Sequence, residues 1–272
     1  MEQLKEFEFG FKLSPGFTPE PEPEWHHSSA ATNMVLAAEY RARVKAAHDK
    51  YTGRAMTLKE ARAVTGHGRL GKPSKMPGWS TALPAAACKT GAKLAKIPGS
   101  VCSSCYALKG NYLFPNVKAS HELRLSALEH PRWVDGMVTL VGHYTDPMDP
   151  YFRIHDSGDF QSVPHILNWI EVARRLPWVK FWAPTKEPGM VKRAIRMIGG
   201  ARNWPDNLTV RVSVFMVGDA PPKAWVDSFG LTSTVSWDDS PDQCPAYGQG
   251  GRCLDCRACW DPNVKNVNYP IH

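Results

Sequence analysis

The seven cysteines of this chain fall in two short groups, and this clustering limits what the chain can fold around more than any other feature. The first group has three members and the second has four: Cys88, Cys102 and Cys105, then Cys244, Cys253, Cys256 and Cys259. An odd number argues against a closed set of disulfides. Thiols clustered at short spacings in a reducing compartment indicate metal ligands.

Two sequence features bear on the cellular compartment: the N-terminal segment and the length of the apolar runs. Its N-terminus, MEQLKEFEFGFKL, is acidic and has no apolar core like that of a signal peptide. No apolar run reaches the roughly 18 residues that span a bilayer. We therefore expect a cytoplasmic protein with no membrane partner, where disulfides are rare.

The second group has the spacing C-x2-C-x2-C over Cys253, Cys256 and Cys259, with Cys244-Pro245 ahead of it. Bacterial ferredoxins combine the same triplet with a Cys-Pro pair, although there the pair follows the triplet. Structural zinc sites usually draw on two separated C-x2-C pairs. The pattern predicts a [4Fe–4S] cluster, with zinc as the alternative.

In the first group, thirteen residues separate Cys88 from Cys102, which is followed by Cys105 in CSSC. Three thiolates leave one iron of a cube without a protein ligand. This loosely resembles radical S-adenosylmethionine (SAM) enzymes, which space their cysteines C-x3-C-x2-C, and the resemblance implies SAM as a cofactor. Two other interpretations stay open: a zinc site completed by a histidine, or one centre shared by both groups.

Strands alternate with helices after residue 150, which is typical of a parallel sheet. We predict strands at Tyr151–His155, Trp178–Ala183, Leu208–Val217 and Ser233–Trp237, and helices near 57–64, 116–129, 162–176 and 190–198, with a shorter one after Pro131. Residues 65–87 and the C-terminal PNVKNVNYPIH read as loops. The fold class is therefore α/β, a partial or distorted (βα) barrel-like parallel sheet with an N-terminal helical region and a C-terminal cysteine-rich loop.

The same reading divides the chain into three parts. Residues 1–27 are predicted to form an extended acidic arm, because Pro and Glu alternate there. Residues 28–70 are predicted to form a helical region, and residues 71–272 a metal-binding α/β domain.

The segment RIHDSGDF places polar residues at the carboxyl end of a predicted strand, where α/β sheets bind ligands. His155, Asp156 and Asp159 are candidate catalytic groups, offering a base and two carboxylates. The alternative is a strand-end turn in which Asp159 caps the next helix. Resemblance to the glycine-rich acidic motif of radical SAM enzymes implies that Ser157, Gly158 and Asp159 bind SAM.

Two further strands add candidates for cofactor binding. Thr185 and Lys186 follow the predicted strand Trp178–Ala183 and fall at the same edge. Arg211 alternates with valines in the strand Leu208–Val217, and a buried arginine is costly unless it is paired. It is therefore a candidate anion contact or one half of a structural ion pair.

Charge is concentrated in residues 41–130, which hold sixteen Lys or Arg against four acids. A basic stretch of this length favours a polyanionic partner, and we predict nucleic acid. A solvated basic surface is the alternative.

Four blocks together resemble the gene-product-88 domain family of bacteriophages: SKMPG at 74–78 with Cys88, CSSCYA at 102–107, RIHDSGDF at 153–160 and GGRCLDCRACW at 250–260. The resemblance covers about residues 70 to 262. It implies a phage protein made in a bacterial cytoplasm and specifies no reaction. Three functions therefore stay open: a radical-SAM-like enzyme, a non-catalytic iron–sulfur protein that binds nucleic acid, or a zinc-stapled nucleic-acid-binding protein.

Overall fold

The protein is built on six parallel strands whose order in the sheet follows their order in the chain. The structure, a computed structural model, describes residues 56–237 and 243–271. The strands are β1 (Trp79–Ser80), β2 (Tyr151–Arg153), β3 (Lys180–Thr185), β4 (Leu208–Ser213), β5 (Thr232–Ser236) and β6 (Asn266–Pro270). The sheet curls into a half-barrel, which confirms the predicted α/β class and the partial barrel.

Helices connect the strands and cover the outer face of the sheet. They are α1 (Leu58–Thr65), α2 (Gly91–Leu94), α3 (Pro115–Ser126), α4 (Trp133–Tyr144), α5 (Val163–Arg175), α6 (Pro188–Met197) and α7 (Lys223–Phe229). Within the described residues, no helix is long and apolar enough to cross a membrane. The five helices predicted within this part of the chain all form, with shifted ends.

Local sequence signals explain where the helices begin. Thr57 and Glu60 form the predicted capping box at the start of α1. The Ser162 side chain accepts a hydrogen bond from the backbone N–H of His165 at the start of α5, where Pro164 occupies the first turn. Helix α1 packs against α4, so this end of the predicted N-terminal helical region lies on the α/β domain. The predicted arm and the rest of that region lie outside the described residues.

Two predicted loops contain strands. The C-terminal segment is not a loop, because β6 pairs with β5 along five residues. Strand β1 lies within the predicted loop 65–87 and pairs with β2. Gly78 makes this pairing possible: its φ is 68°, and a Cβ there would lie 1.7 Å from the carbonyl oxygen of Tyr151.

The strands bury different chemistry on their two faces. On the outer face, Leu208 and Val210 of β4 join the main apolar core, which also contains Phe152, Trp133 and Trp169. On the inner face, a smaller cluster contains Trp182, Cys259, Trp260 and Val267. The inner face is thus filled by the C-terminal cysteine segment, which lies between β5 and β6.

His165 lies in the core between α5 and its neighbours, and its environment requires a neutral ring. Trp169 Nε1 donates a hydrogen bond to His165 Nε2 at 3.0 Å, and the Trp133 ring meets the imidazole edge-on at 5.8 Å. Burial lowers the pKa of His165 from 6.5 to about 3. An imidazolium would lose the bond from Trp169 because both of its nitrogens carry protons.

We predict that acid destabilises the fold partly through His165. Between pH 6.5 and 3 the unfolded chain binds a proton that the folded chain excludes, so stability is complete above pH 6.5 and falls below it. At pH 5 this one residue should cost about 2 kcal/mol. Urea unfolding at pH 7.5 and pH 5 measures the difference. His165→Gln should reduce the pH dependence, whereas His143→Gln on the exposed face of α4 should not. Equal pH dependence in all three proteins would refute the assignment.

Candidate functional site

The first cysteine group lies on the long connection after β1, over the carboxyl edge of the sheet. Cys88 follows a short 3-10 turn, and Cys102 lies within another such turn, next to Cys105. The backbone N–H of Val101 donates to the carbonyl of Phe215 at 2.9 Å, just beyond β4. The connection therefore crosses from β1 to β4 and holds its thiols above the strand ends.

Two of these thiols approach each other around Gly91. A Cβ at Gly91 would lie 3.5 Å from the Cys102 sulfur and 3.7 Å from the Cys88 sulfur. The two sulfurs are thus separated by no more than the sum of these distances. Burial raises the pKa of both thiols above the ordinary range, and repulsion by Cys105 acts in the same direction. The thiols stay protonated at neutral pH unless a cation replaces the protons.

Three predicted residues meet beside this group. Asp159 is buried and accepts hydrogen bonds from Thr185 Oγ1 at 2.6 Å and from the backbone N–H of Lys186 at 2.7 Å. Burial raises its pKa to about 7, although those hydrogen bonds oppose the shift. Lys186 Nζ donates to the carbonyl of Val214, and burial lowers its pKa to about 8, against the attraction of Cys102 and Asp159. A buried acid and a buried base therefore lie within electrostatic reach of the thiols.

His155 and Asp156 point away from Asp159. His155 is 2% exposed, has φ 63°, and packs its ring against Phe160 and His165 at 4.8 and 5.3 Å. Neither ring nitrogen has a hydrogen-bond partner, and burial holds its pKa well below 6.5. Asp156 instead accepts from Ser80 Oγ at 2.6 Å. The structure does not bring the three candidate catalytic residues together.

Ser157 and Gly158 join two connections of the sheet. Ser157 Oγ donates to the carbonyl of Leu83 at 2.9 Å, and Leu83 N–H donates back to the Ser157 carbonyl. Gly158 has φ 84°, and a Cβ there would lie 2.6 Å from the Leu83 side chain. These residues hold the β1 connection against the β2 connection and thereby position the first cysteine group.

The second cysteine group is attached to both edges of the half-barrel. Cys244 N–H donates to the Asn268 carbonyl in β6 at 2.7 Å. Cys253 N–H donates to the Lys75 carbonyl just ahead of β1 at 2.9 Å, within the SKMPG block. Three of its members line a cavity of about 190 Å³: Cys244, Cys256 and Cys259. The Cys259 sulfur lies 3.1 Å from the Tyr269 hydroxyl, and burial raises the pKa of Cys259 to about 12.

Arg211 holds this segment inside the half-barrel. Its side chain points inward from β4 and is fully buried. The Nε, Nη1 and Nη2 groups contact five backbone carbonyls at 2.8 to 3.5 Å: those of Cys259, Thr232, Lys265, Ala258 and Asp261. A guanidinium has five N–H donors, so these contacts use all of them. Arg211 stabilises the cysteine segment and has no donor left for an anion.

Arg153, which the sequence prediction passed over, lies between the two cysteine groups. Its Nη2 donates to Tyr106 Oη at 2.9 Å, next to Cys105. Its guanidinium lies 4.9 Å from the Trp182 ring centroid, and Trp182 contacts Trp260 at 5.3 Å, next to Cys259. The sequence did contain a signal for Arg153: it is a charged residue in a predicted strand, between the apolar residues Phe152 and Ile154, which are buried. The same kind of signal identified Arg211.

The donors of both groups suit iron or zinc, because clustered thiols are soft ligands. Within residues 56–237 and 243–271, however, no three His, Cys, Asp or Glu side chains are arranged to hold a single metal ion. The thiols interact electrostatically with others of their own group: Cys88 with Cys102 and Cys105, and Cys253 with Cys244 and Cys256. The members of each cysteine group therefore lie near one another and are candidate soft ligands.

We predict that Arg211→Met destabilises the protein by about 3 kcal/mol or more, because it leaves buried carbonyls without donors. Urea unfolding measures the loss, and amide hydrogen exchange should accelerate over residues 258–265. Arg211→Lys keeps three donors, so its free energy of unfolding should lie between those of the wild type and Arg211→Met. Arg196→Met, on the exposed side of α6, is the matched control. If residues 258–265 of Arg211→Met exchanged their amide hydrogens at the wild-type rate, the segment would not depend on this side chain.

Comparison with known proteins places the chain in a family. The family model Gene product 88 matches residues 52–262 and so includes helix α1, which the four sequence blocks had left out. Searches of curated proteins and of solved structures found no match. The match covers most of the chain and contains both cysteine groups and every strand except β6. The chain therefore belongs to the Gene product 88 family, as its four sequence blocks predicted.

Proposed function

We propose that this phage-family protein is an iron–sulfur protein with a [4Fe–4S] cluster in each cysteine group. The observation that carries the proposal is the cavity of about 190 Å³ between β6 and the C-terminal cysteine segment, lined by Cys244, Cys256 and Cys259. Several thiols lining one small cavity are what a cluster requires. The first group supports a second centre, because Cys88 and Cys102 approach each other around Gly91.

Spacing supports a cluster over zinc. A structural zinc ion needs four donors about 2.0–2.3 Å from one point. No described set of side chains meets this condition. A cube distributes its ligands over separate irons, so its thiolates stay further apart. The C-x2-C-x2-C spacing of Cys253, Cys256 and Cys259, with Cys244-Pro245 ahead of it, therefore favours a cluster.

The fold supports a radical-SAM-like role for the first centre. Three cysteines lie directly after β1, over the carboxyl edge of sequentially ordered parallel strands, where (βα) barrels place their active sites. When bound, a three-thiolate cluster would supply the electron for reductive cleavage of SAM. The chain would contribute the buried Lys186, whose positive charge favours thiolate at Cys102, and Asp159 as a nearby proton-holding group.

A specific surface favours nucleic acid binding as the second candidate function. Residues 89–118 contain Cys102 and Cys105 of the first group, five lysines and no acid. All five lie in exposed positions: Lys89, Lys93, Lys96, Lys109 and Lys118. Large apolar side chains are exposed among them, including Phe114 at 53% and Leu113 at 49%. Cations interleaved with aromatic surface suit a single-stranded polyanion.

We predict that anaerobically purified protein contains about eight irons and eight sulfides per chain, since each cube holds four of each. Replacing Cys102 and Cys105 by Ser should remove about half of both, and so should replacing Cys253 and Cys256. Ser104→Ala is the matched control. Iron, zinc and acid-labile sulfide analysis with visible spectra measures the outcome. One or two zincs without sulfide would overturn the proposal, and unchanged iron after the first double replacement would leave a single cluster.

We predict that the basic surface binds single-stranded nucleic acid with an affinity that falls as salt rises. Lys93→Glu with Lys96→Glu should weaken fluorescence-monitored binding roughly tenfold at 50 mM salt, since it reverses two charges. Lys192→Glu, an exposed lysine on α6 outside residues 89–118, should not weaken binding to this extent. SAM cleavage products detected by mass spectrometry under reducing conditions test the enzymatic role separately. An unchanged affinity in the protein with Lys93→Glu and Lys96→Glu would refute the nucleic-acid role of this surface.

A further inference from the structure

Three charged side chains at the mouth of the half-barrel leave polar atoms without partners. They are Arg124 Nε, Arg153 Nε and Asp156 Oδ1, and each atom is inaccessible to solvent with no hydrogen bond. Leaving a buried polar atom unpaired is unfavourable, especially when its group is charged. Three such atoms in one region make it a candidate position for a polar ligand.

These residues belong to one network. Arg124 and Arg153 both interact electrostatically with Asp156, yet within the described part of the chain neither forms an ion pair with it. Tyr106 links them, since its hydroxyl donates to the Asp156 carbonyl and accepts from Arg153 Nη2. The other oxygen of Asp156 accepts from Ser80 Oγ at 2.6 Å. The carboxylate is therefore held in place with one oxygen free.

The network is closed toward solvent by tyrosines of the first cysteine connection. Tyr106 is 45% exposed and lies 5.8 Å from Tyr112, ring to ring. Tyr112 in turn contacts His121 of α3 at 6.1 Å. The cover consists of side chains on two short 3-10 turns that lie outside the sheet. A ligand entering there would meet two guanidinium N–H donors and one carboxylate oxygen.

We propose that this mouth binds the zwitterionic α-amino acid group of a small molecule. Its carboxylate would accept from Arg124 Nε and Arg153 Nε, and its ammonium would donate to Asp156 Oδ1. A simple anion would satisfy the arginines and leave the Asp156 oxygen unpaired, and a simple amine would do the reverse. A ligand that carries both charges close together satisfies all three atoms at once.

The position of the site gives it a role that rests on the proposed function. Tyr106 directly follows Cys105, so the ligand would lie against the first cysteine group. The amino acid group has two sources: the aminoacyl part of SAM, or an amino acid substrate. The chemistry at the mouth is the same in both cases, and the probes below separate them.

Calorimetric titration of the anaerobically purified full chain tests the site with three probes: SAM, free methionine, and methylthioadenosine, which lacks the amino acid group. We expect SAM to bind at least tenfold more tightly than methylthioadenosine. Binding of methionine with an affinity comparable to that of SAM would identify amino acids as the source, and binding of SAM alone would identify SAM. Equal binding of SAM and methylthioadenosine, or no binding of SAM and methionine, would overturn the proposal.

Variants locate the site. Asp156→Asn and Arg124→Gln should each weaken binding of the preferred probe about tenfold or more, because each removes a charge-assisted hydrogen bond. Arg196→Gln on α6 is the matched control. Iron and sulfide content measured on the same samples keeps the two questions apart. Cluster-loaded variants with unchanged affinity refute this site alone, whereas metal-free protein that binds the probe as expected refutes only the iron–sulfur proposal.

Discussion

A single buried guanidinium determines how the inner face of this half-barrel is filled. A curled sheet of six strands exposes an inner surface that a closed barrel would pack with side chains from the missing strands. Here the C-terminal cysteine segment occupies that space, and Arg211 holds it there through five backbone carbonyls. The charge is tolerated because every donor is paired. The inner position of Cys259 and Trp260 follows from this contact.

Filling the half-barrel in this way connects the two cysteine groups through side chains of the sheet. Trp260 lies against Trp182 and donates from Nε1 to the Phe152 carbonyl, so the second group is joined to β2 and β3. Arg153 extends from β2 toward Tyr106 and the first group. Residues that are distant in sequence, including the SKMPG block, thereby belong to one assembly. This explains why the family match spans the whole interval between the two groups.

The sequence predicted the fold well where burial on the outer face sets the pattern. Strands β2 to β5 and the helices between them follow apolar periodicity, because one side of each packs in the main core. Strand β6 was missed because NVNYP carries polar residues and a proline, and its asparagines pair laterally with Thr232 and Thr234. Polar residues on the inner face contact backbone carbonyls of the C-terminal cysteine segment. No local sequence pattern predicts such contacts, because the two partners are distant in the chain.

The site was predicted less well for a related reason. Sequence proximity grouped His155, Asp156 and Asp159, but consecutive residues at a strand end point in different directions, and the positive φ of His155 enhances this divergence. Asp159 contacts Thr185 and Lys186, which lie at the carboxyl end of the neighbouring strand β3. This contact was predicted, because both segments lie where strands end at the same edge of the sheet. The two cysteine groups were recognisable because their short spacings keep the thiols of each group near one another along the chain.

The protonation of the thiols connects folding of the site to its occupation. Burial raises the pKa values of Cys88, Cys102 and Cys259, so a metal centre must displace protons from each. Without metal, the thiols stay protonated and neutral in their buried positions. The cysteines of each group therefore pack near one another without charge repulsion. With metal, the negative charge of the thiolates would be offset by cations already in place, Lys186 beside the first group and Arg211 beside the second. For the proposed centres, the fold thus already holds a positive side chain beside each cysteine group.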